Sequence, residues 1–282
     1  MRVAVAQLDP KLAEKERNLD ACLERLDEAV AAGAELVVFP ECAIPGYMFG
    51  SAEEAMPHAE EIPGPSTEAL VEAAARTGAH VCCGLIERDG DRLHNAAVLV
   101  GPDGLIGTYR KTHLPFLGVD RFVVAGDRLP VWETPLGRIG VEICYDLRFP
   151  EVTRTLALRG ADIVCHPTNF PMAARVQTEV ITTARAAENR VYLLTANRCG
   201  QERWAEFCGR SQIVDPYGVR LAEADVEGEA LLVADVELEK ARDKDYVVQG
   251  EYELYLFGHR RPELYGALVE ETQTVTTQGG VA

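Results

Sequence analysis

The sequence predicts a layered α/β domain, with helices outside a sheet core. Three observations predict it. Apolar, strand-like runs alternate with helix-spaced segments along the chain. Several runs, Glu35-Leu-Val-Val-Phe39 first among them, are apolar almost throughout, as strands covered on both faces must be. No internal repeat and no linker divides the 282 residues, and so many strands suit two packed sheets better than one. A single domain over 1–282 is expected, with a loose polar tail from about residue 268.

The elements follow in order. Arg2–Leu8 reads as a strand. Ala13–Ala32 reads as a helix, because Leu19, Cys22, Leu23, Leu26 and Ala29 fall on one stripe, and Gly33 closes it. The strand at 35–39 completes a strand–helix–strand crossover, expected to be right-handed. Gly64-Pro-Ser-Thr-Glu68 opens the next helix with Ser66 or Thr67 as its N-cap, and the helix runs to about Arg76. Strands are expected at 80–86, 93–100 and 105–109, the last two joined at Pro102-Asp-Gly104. A loop covers 116–127. Strands at 131–134 and 138–143 follow, then a helix from Glu151 to about Arg159. A strand at 162–166 leads to a loop at 167–171 and one long helix over 173–189. Strands at 191–196 and 211–214 come next, and 231–236 reads as the last clear strand.

Composition narrows the function classes. A formal charge of −17 argues against a phosphate-backbone partner, so no nucleic acid is expected. No apolar run approaches a membrane span, and no membrane partner is expected. The eight cysteines show no zinc-ligand spacing; neither a metal nor a cofactor is expected. Cys82, Cys83 and Cys165 lie inside apolar runs and read as core. Met1–Leu8 reads as a strand rather than a secretion signal, so a reducing cytoplasm is the expected setting.

Three residues stand just after apolar runs: Glu41, Lys111 and Cys144. Residues at the ends of different core strands can meet on one rim. A thiol at a strand end, ahead of a helix opened by Pro150-Glu151, is expected to have a lowered pKa and a fixed position. The three chemistries fit together. Cysteine attacks an electrophilic carbon, glutamate takes the thiol proton and later activates water, and lysine stabilises an oxyanion. Each also has a plainer reading: Cys144 as a small core residue, Glu41 as a cap, Lys111 as a surface cation. Of six histidines only His113 and His166 lie near the same rim, and either reads equally well as structural.

The motifs Phe39-Pro-Glu41, Tyr109-Arg-Lys111-Thr-His-Leu-Pro115 and Glu142-Ile-Cys144-Tyr-Asp-Leu-Arg-Phe-Pro-Glu151 resemble those of the nitrilase superfamily of carbon–nitrogen hydrolases. So do Ala184–Asn189, Asn197-Arg198, Gly209–Gly218 and Arg260–Tyr265, in family order over nearly the whole chain. The resemblance implies a four-layer α-β-β-α sandwich and a Glu41–Lys111–Cys144 triad. It also implies a thioester acyl-enzyme and dimers made by stacking two sandwiches. Many family members carry a second Glu after the lysine motif; here the loop has none, and Asp120 stands nearest. Asp120 either does that job or only pairs with Arg121. Glu142, two residues before Cys144, reads as a salt-bridging or a catalytic acid that could share its side of the strand.

Tyr145-Asp146 after the cysteine resembles the amidase branches, ω-amidases included, rather than the Trp-Glu of nitrilases. The expected reaction is hydrolysis of a small aliphatic or ω-amide by water, releasing ammonia. Arg148 is a candidate for a substrate carboxylate, with an ion pair to Glu151 as the alternative. Tyr47, Phe116, Tyr145 and Asn169 are candidate pocket residues. An N-carbamoyl amide hydrolase, a nitrilase and a silent scaffold on the same fold are the competing readings.

Overall fold

A computed structural model of the chain describes residues 1–248 and 251–271. Residues Met1–Asp243 form one compact unit, and a second begins at Lys244. In the first, β1 (Arg2–Gln7) leads through α1 (Lys15–Ala31) to β2 (Leu36–Val38). A short α2 (Ala52–Ala55) and α3 (Pro65–Thr77) precede β3 (His80–Asp89), β4 (Arg92–Gly101) and β5 (Gly104–Arg110). The chain continues through β6 (Val131–Thr134), β7 (Gly137–Val141), α4 (Pro150–Leu158), β8 (Ile163–Thr168), α5 (Thr182–Asn189) and β9 (Tyr192–Asn197). A two-residue pair, β10 (Gln201–Glu202) and β11 (Ala205–Glu206), is followed by β12 (Gln212–Val214), β13 (Arg220–Glu223), β14 (Ala230–Asp235) and α6 (Leu238–Arg242). The second unit holds a hairpin of β15 (Asp245–Val248) and β16 (Tyr252–Tyr255).

Two six-stranded sheets carry the fold, in the orders β14-β1-β2-β3-β4-β5 and β13-β12-β9-β8-β7-β6. Each has three parallel strands at its centre, β1-β2-β3 and β7-β8-β9, and antiparallel strands outside them. Strands β1, β2 and β3 lie against β8, β9 and β12 of the other sheet. Helices α1 and α3 pack together over the first sheet, burying Cys22, Leu26, Leu70 and Ala74 with Ala4, Val37, Phe39 and Val81. Helices α4 and α5 pack together over the second. This is the α-β-β-α sandwich, and it explains why the central strands are apolar on both faces: every residue of Val3–Gln7 and of Ile163–Thr168 is buried.

Four local expectations change. Helix α3 is capped by Gly64 with Pro65 at its first position, because proline is pre-set for a first turn. Ser66 is instead buried, giving its N–H and its hydroxyl to Glu60 at 2.8 Å each. Strand β8 runs on through Pro167 into the expected loop. Its pairing with β7 stops at Cys165, so the missing N–H of Pro167 disturbs no ladder there. The expected long helix at 173–189 is a 3-10 turn (Met172–Ala174), a π turn (Gln177–Ile181) and then α5. Thr182 Oγ1 donates to Gln177 O at 2.8 Å across that wide turn. Strand β14 is not the last, since β15 and β16 follow it. Of the tail expected from about 268, the part from residue 272 lies outside the described residues.

Gly84 of β3 fixes how closely the Glu41 segment can approach. A Cβ there would stand 2.5 Å from Pro40 O and Cys42 N and 2.7 Å from Glu41 Cα. The clash is with backbone, which cannot swing away. Gly84→Ala should cost about 1–3 kcal/mol and lower the midpoint of thermal unfolding, followed by circular dichroism, by several degrees. An unchanged midpoint would mean that the Pro40–Cys42 backbone yields freely.

Candidate functional site

Glu41, Lys111 and Cys144 come from three strand ends. Glu41 follows β2 by way of Phe39 and Pro40, and Lys111 follows β5 directly. Cys144 opens a 3-10 turn (Cys144–Arg148) just beyond β7. These are the carboxyl ends of β2, β5 and β7, and for the parallel strands that is the rim where open α/β sheets place ligands. Two non-glycine residues here take left-handed backbone, Cys42 at φ 46° and Cys144 at φ 47°. Such strain costs on the order of 1–3 kcal/mol each and gathers at sites where a side chain must be held in one place.

A closed set of polar bonds joins the acids to the lysine. Lys111 Nζ donates to Glu41 Oε1 at 2.7 Å and to Asp120 Oδ2 at 2.6 Å. All three side chains are fully buried. Asn95 Nδ2 donates to Glu41 Oε1 at 2.7 Å and to Asp120 Oδ1 at 2.8 Å. Tyr47 Oη donates to Asp120 Oδ2 at 2.7 Å. Glu41 Oε2 is buried and has no hydrogen-bond partner among the described residues. Asp120 therefore joins Glu41 and Lys111 and is not paired with Arg121, whose guanidinium donates to the carbonyls of Gly118, Phe49 and Gly50.

The electrostatics correct one expectation. Burial pushes the Cys144 thiol well above its ordinary pKa, and the Glu41 charge adds to this. Lys111, the Thr168 hydroxyl and the Asn169 N–H pull the other way without offsetting it. The lowered pKa expected from a helix start is absent because the thiol has left water. Burial also raises Glu41, and the Asp120 charge adds to that against Lys111 and Asn95. Burial opposes the Lys111 ammonium, but Asp120 and Glu41 outweigh it and hold its pKa well above normal. The site therefore holds a neutral thiol with a basic carboxylate and a fixed ammonium. That set can pass a proton from sulfur to oxygen while stabilising a new negative charge.

The histidines stay outside this set. His166 Nε2 lies 3.3 Å from the backbone oxygen of Cys144, and burial lowers its pKa to about 4. His113 Nδ1 meets Asp146 Oδ1 at 2.8 Å, and its ring stacks on Phe149. Asp146 accepts from Tyr109 Oη, Thr112 Oγ1, His113 N and Ile143 N at 2.7–3.0 Å. It thus locks the Lys111 segment to the turn that carries Cys144.

The candidate pocket residues divide. Asn169 Nδ2 donates to Glu41 O at 2.9 Å, and its Oδ1 is buried without a partner among the described residues. Tyr47 is buried, with its hydroxyl spent on Asp120 and Leu117 O, so it underlies the acids and is no pocket wall. Its place in an apolar loop hid that its hydroxyl must find a buried acceptor. Phe116 is 88% exposed and lines a cavity of about 440 Å³ with Met48, Leu117, Arg121 and Trp204. None of Glu41, Lys111 or Cys144 lines that cavity. Tyr145 is half-buried, edge-on to Phe149. Arg148 is exposed and does not pair with Glu151. Its Nε and Nη2 lie 2.6 and 2.9 Å from the Gln177 amide oxygen once that amide is turned to present it. Glu142 faces α4, not the thiol, and accepts from Thr153 Oγ1 at 2.8 Å. Sequence reasoning missed Asn95 and the clamp made by Asp146. A lone amide inside the apolar run 93–100 was the available signal for the first.

Comparison with known proteins shows the family. The carbon–nitrogen hydrolase family model matches residues 2–246. A protein named nitrilase from Pyrococcus abyssi is 41% identical over 246 residues, 86% of this chain and 92% of that protein. An omega-amidase of Danio rerio is 34% identical over 276 residues, 94% of this chain and 96% of that protein. Among solved structures, an amidase of the nitrilase superfamily from Nesterenkonia is similar, with TM-score 0.78 and 28% identity over 95% of this chain and 97% of that one. In one mutant of that amidase the acetamide moiety of fluoroacetamide is added covalently at the active site cysteine.

Burial raises the Glu142 carboxyl to about 8. From the ordinary value of 4.5 up to about 8 the folded chain holds a proton that the unfolded chain has released. Stability supplied by this group is present below that window and is lost as pH rises through it. Glu142→Gln should therefore leave thermal stability unchanged near pH 4 and raise the unfolding midpoint by several degrees at pH 8.5. Parallel pH curves for the two proteins would sink this assignment.

Proposed function

The chain belongs to the carbon–nitrogen hydrolase family of the nitrilase superfamily, and from that premise we propose that it is a cysteine-dependent amidase. The observation that carries this reading is the unpartnered Glu41 Oε2 in a cluster whose other carboxylate oxygens are all bonded. A buried oxygen left bare is costly unless something uses it. Here the user is the Cys144 proton.

Cys144 gives its proton to Glu41 as the sulfur adds to the substrate carbonyl carbon. The high thiol pKa makes this one concerted step and not attack by a standing thiolate. Lys111 remains an ammonium and stabilises the oxyanion, which becomes a new charge among two acids already paired to it. The tetrahedral adduct collapses as Glu41 returns the proton to the leaving nitrogen, releasing ammonia and a thioester. Glu41 then deprotonates water, which adds to the thioester. Collapse of that adduct frees the acid, and the proton goes back to sulfur. Asp120 keeps Lys111 charged and Glu41 basic, the work of the second Glu expected after the lysine motif.

The substrate class we propose is a small aliphatic or ω-amide. The names of the Danio rerio and Nesterenkonia relatives support it. Arg148, whose guanidinium meets the neutral Gln177 amide, is the residue we assign to the far carboxylate of an ω-amide. Asn169 Oδ1 is the free acceptor we assign to the amide N–H. A nitrile reading remains in competition because the Pyrococcus relative bears that name. The working form we propose is a homodimer.

Ammonia release from small amides, ω-amides, N-carbamoyl amino acids and nitriles should be greatest for the amides. Cys144→Ala should abolish it, a loss on the order of 10⁴-fold or more. Asp120→Asn should reduce kcat by about 10²-fold while the chain still folds, as followed by circular dichroism. Turnover of nitriles alone would replace the amidase reading, and full activity of Cys144→Ala would remove the thiol from the reaction.

A further inference from the structure

We propose that Asn95 is a positioning residue: its carboxamide, held by Cys42, bridges Glu41 and Asp120 and leaves Glu41 Oε2 as the one oxygen able to meet the Cys144 thiol. This rests on the proposed role of Glu41 as the proton acceptor.

The geometry of the amide is fully determined. Its nitrogen donates to one oxygen of each acid, at 2.7 and 2.8 Å, and its oxygen accepts from Cys42 Sγ at 3.6 Å. Turned over, the amide would set its oxygen against two carboxylates, which is repulsive. The Cys42 thiol thus selects the orientation from below, and the acids select it from above. Strand β4 holds Asn95 rigidly, pairing it to Ile86 of β3 on one side, and its carbonyl accepts the N–H of Lys111 at 2.8 Å on the other. The same residue therefore fixes the lysine through its backbone and both acids through its side chain.

A lysine alone could not do this work. Lys111 Nζ is already shared between Glu41 Oε1 and Asp120 Oδ2. Without a second donor, Asp120 Oδ1 would lose its bond, and Glu41 could turn either oxygen toward the ammonium. The carboxylate would then spend time with its basic oxygen facing away from sulfur. Asn95 supplies that donor to both acids without adding charge. The groups that face Glu41 are Lys111 beyond β5, Asp120 in the turn Gly118–Arg121, Cys144 beyond β7, and Cys42 and Tyr47 of its own loop. Lys111 and Asn95 favour its ionised form.

The test is the pH dependence of two rates in Asn95→Leu, Cys42→Ala and Cys42→Ser. One is kcat/KM for amide hydrolysis. The other is alkylation of Cys144 by iodoacetamide, located by peptide mass mapping. Asn95→Leu should move the acidic limb of both profiles up by about one pH unit. Its kcat/KM at pH 7 should fall about 10- to 100-fold, recovering in part at higher pH. Cys42→Ala should move the limb the same way by less, and Cys42→Ser, which keeps a donor to the amide oxygen, should restore it. A folded Asn95→Leu whose limbs do not move overturns the proposal. If Asn95→Leu does not fold, the cysteine pair decides: a limb displaced in Ala and restored in Ser supports the proposal, and equal limbs overturn it. The alkylation profile reads carbon–sulfur bond formation and needs no hydrolysis of an amide. A shifted alkylation limb with every amide inert would leave the positioning role standing and remove the amidase reading.

Discussion

The structure depends on burying three charges in one place. Glu41, Asp120 and Lys111 have no exposed side-chain surface. An ion alone in such a setting costs several kcal/mol, and only a complete set of partners offsets it. The partners come from different elements: Lys111 beyond β5, Asn95 in β4, Tyr47 in the loop after β2, and Asp120 in a turn between β5 and β6. None can be satisfied before the first sheet has formed in register. The cluster thus couples assembly of that sheet to assembly of the chemistry.

The second sheet completes the arrangement from the other side. Cys144 and Asp146 leave β7, and Asn169 leaves β8. Asp146 binds back to residues 109–113, and Asn169 binds the Glu41 carbonyl. Cys144 and the two acids therefore lie at the ends of strands from different sheets, with polar bonds across one rim. Packing of β1–β3 against β8 and β9 sets the distance between the two halves. A buried carboxylate, Glu202, steadies the Tyr47 loop by accepting the N–H groups of Tyr47 and Met48 while pairing with the buried Arg198.

Much of this was legible in the sequence, and what was missed has physical causes. The alternation of apolar runs and helical stripes gave the layers, and Glu41, Lys111 and Cys144 stood out because each directly follows such a run. Register could not be read, so Asn95 passed as one more residue of the strand at 93–100 and not as a bridge to Glu41 and Asp120. Tyr47 looked like a pocket wall because aromatics in glycine-rich loops often are, yet its hydroxyl is committed to Asp120. The pKa of Cys144 went the opposite way because the helix start was weighed and burial was not. Helical spacing over 173–189 cannot distinguish a π turn from an α turn, since both bury the same stripe at first.

Asp120 shows how a shorter side chain can reach the same lysine. It is one methylene shorter than a glutamate, so the backbone must come closer. The turn that carries it lies directly on Tyr47: Val119 N donates to Tyr47 O at 2.9 Å, and Tyr47 Oη reaches Leu117 O at 3.1 Å. Gly118 permits this approach twice over. Its φ is +50°, a left-handed conformation, and any Cβ there would stand 2.5 Å from the Tyr47 ring. The same tyrosine that receives the turn also bonds the acid at its end. Glycine, tyrosine and aspartate therefore act as one solution, and exchanging Asp120 for a longer acid would meet a turn already seated as deep as the ring allows.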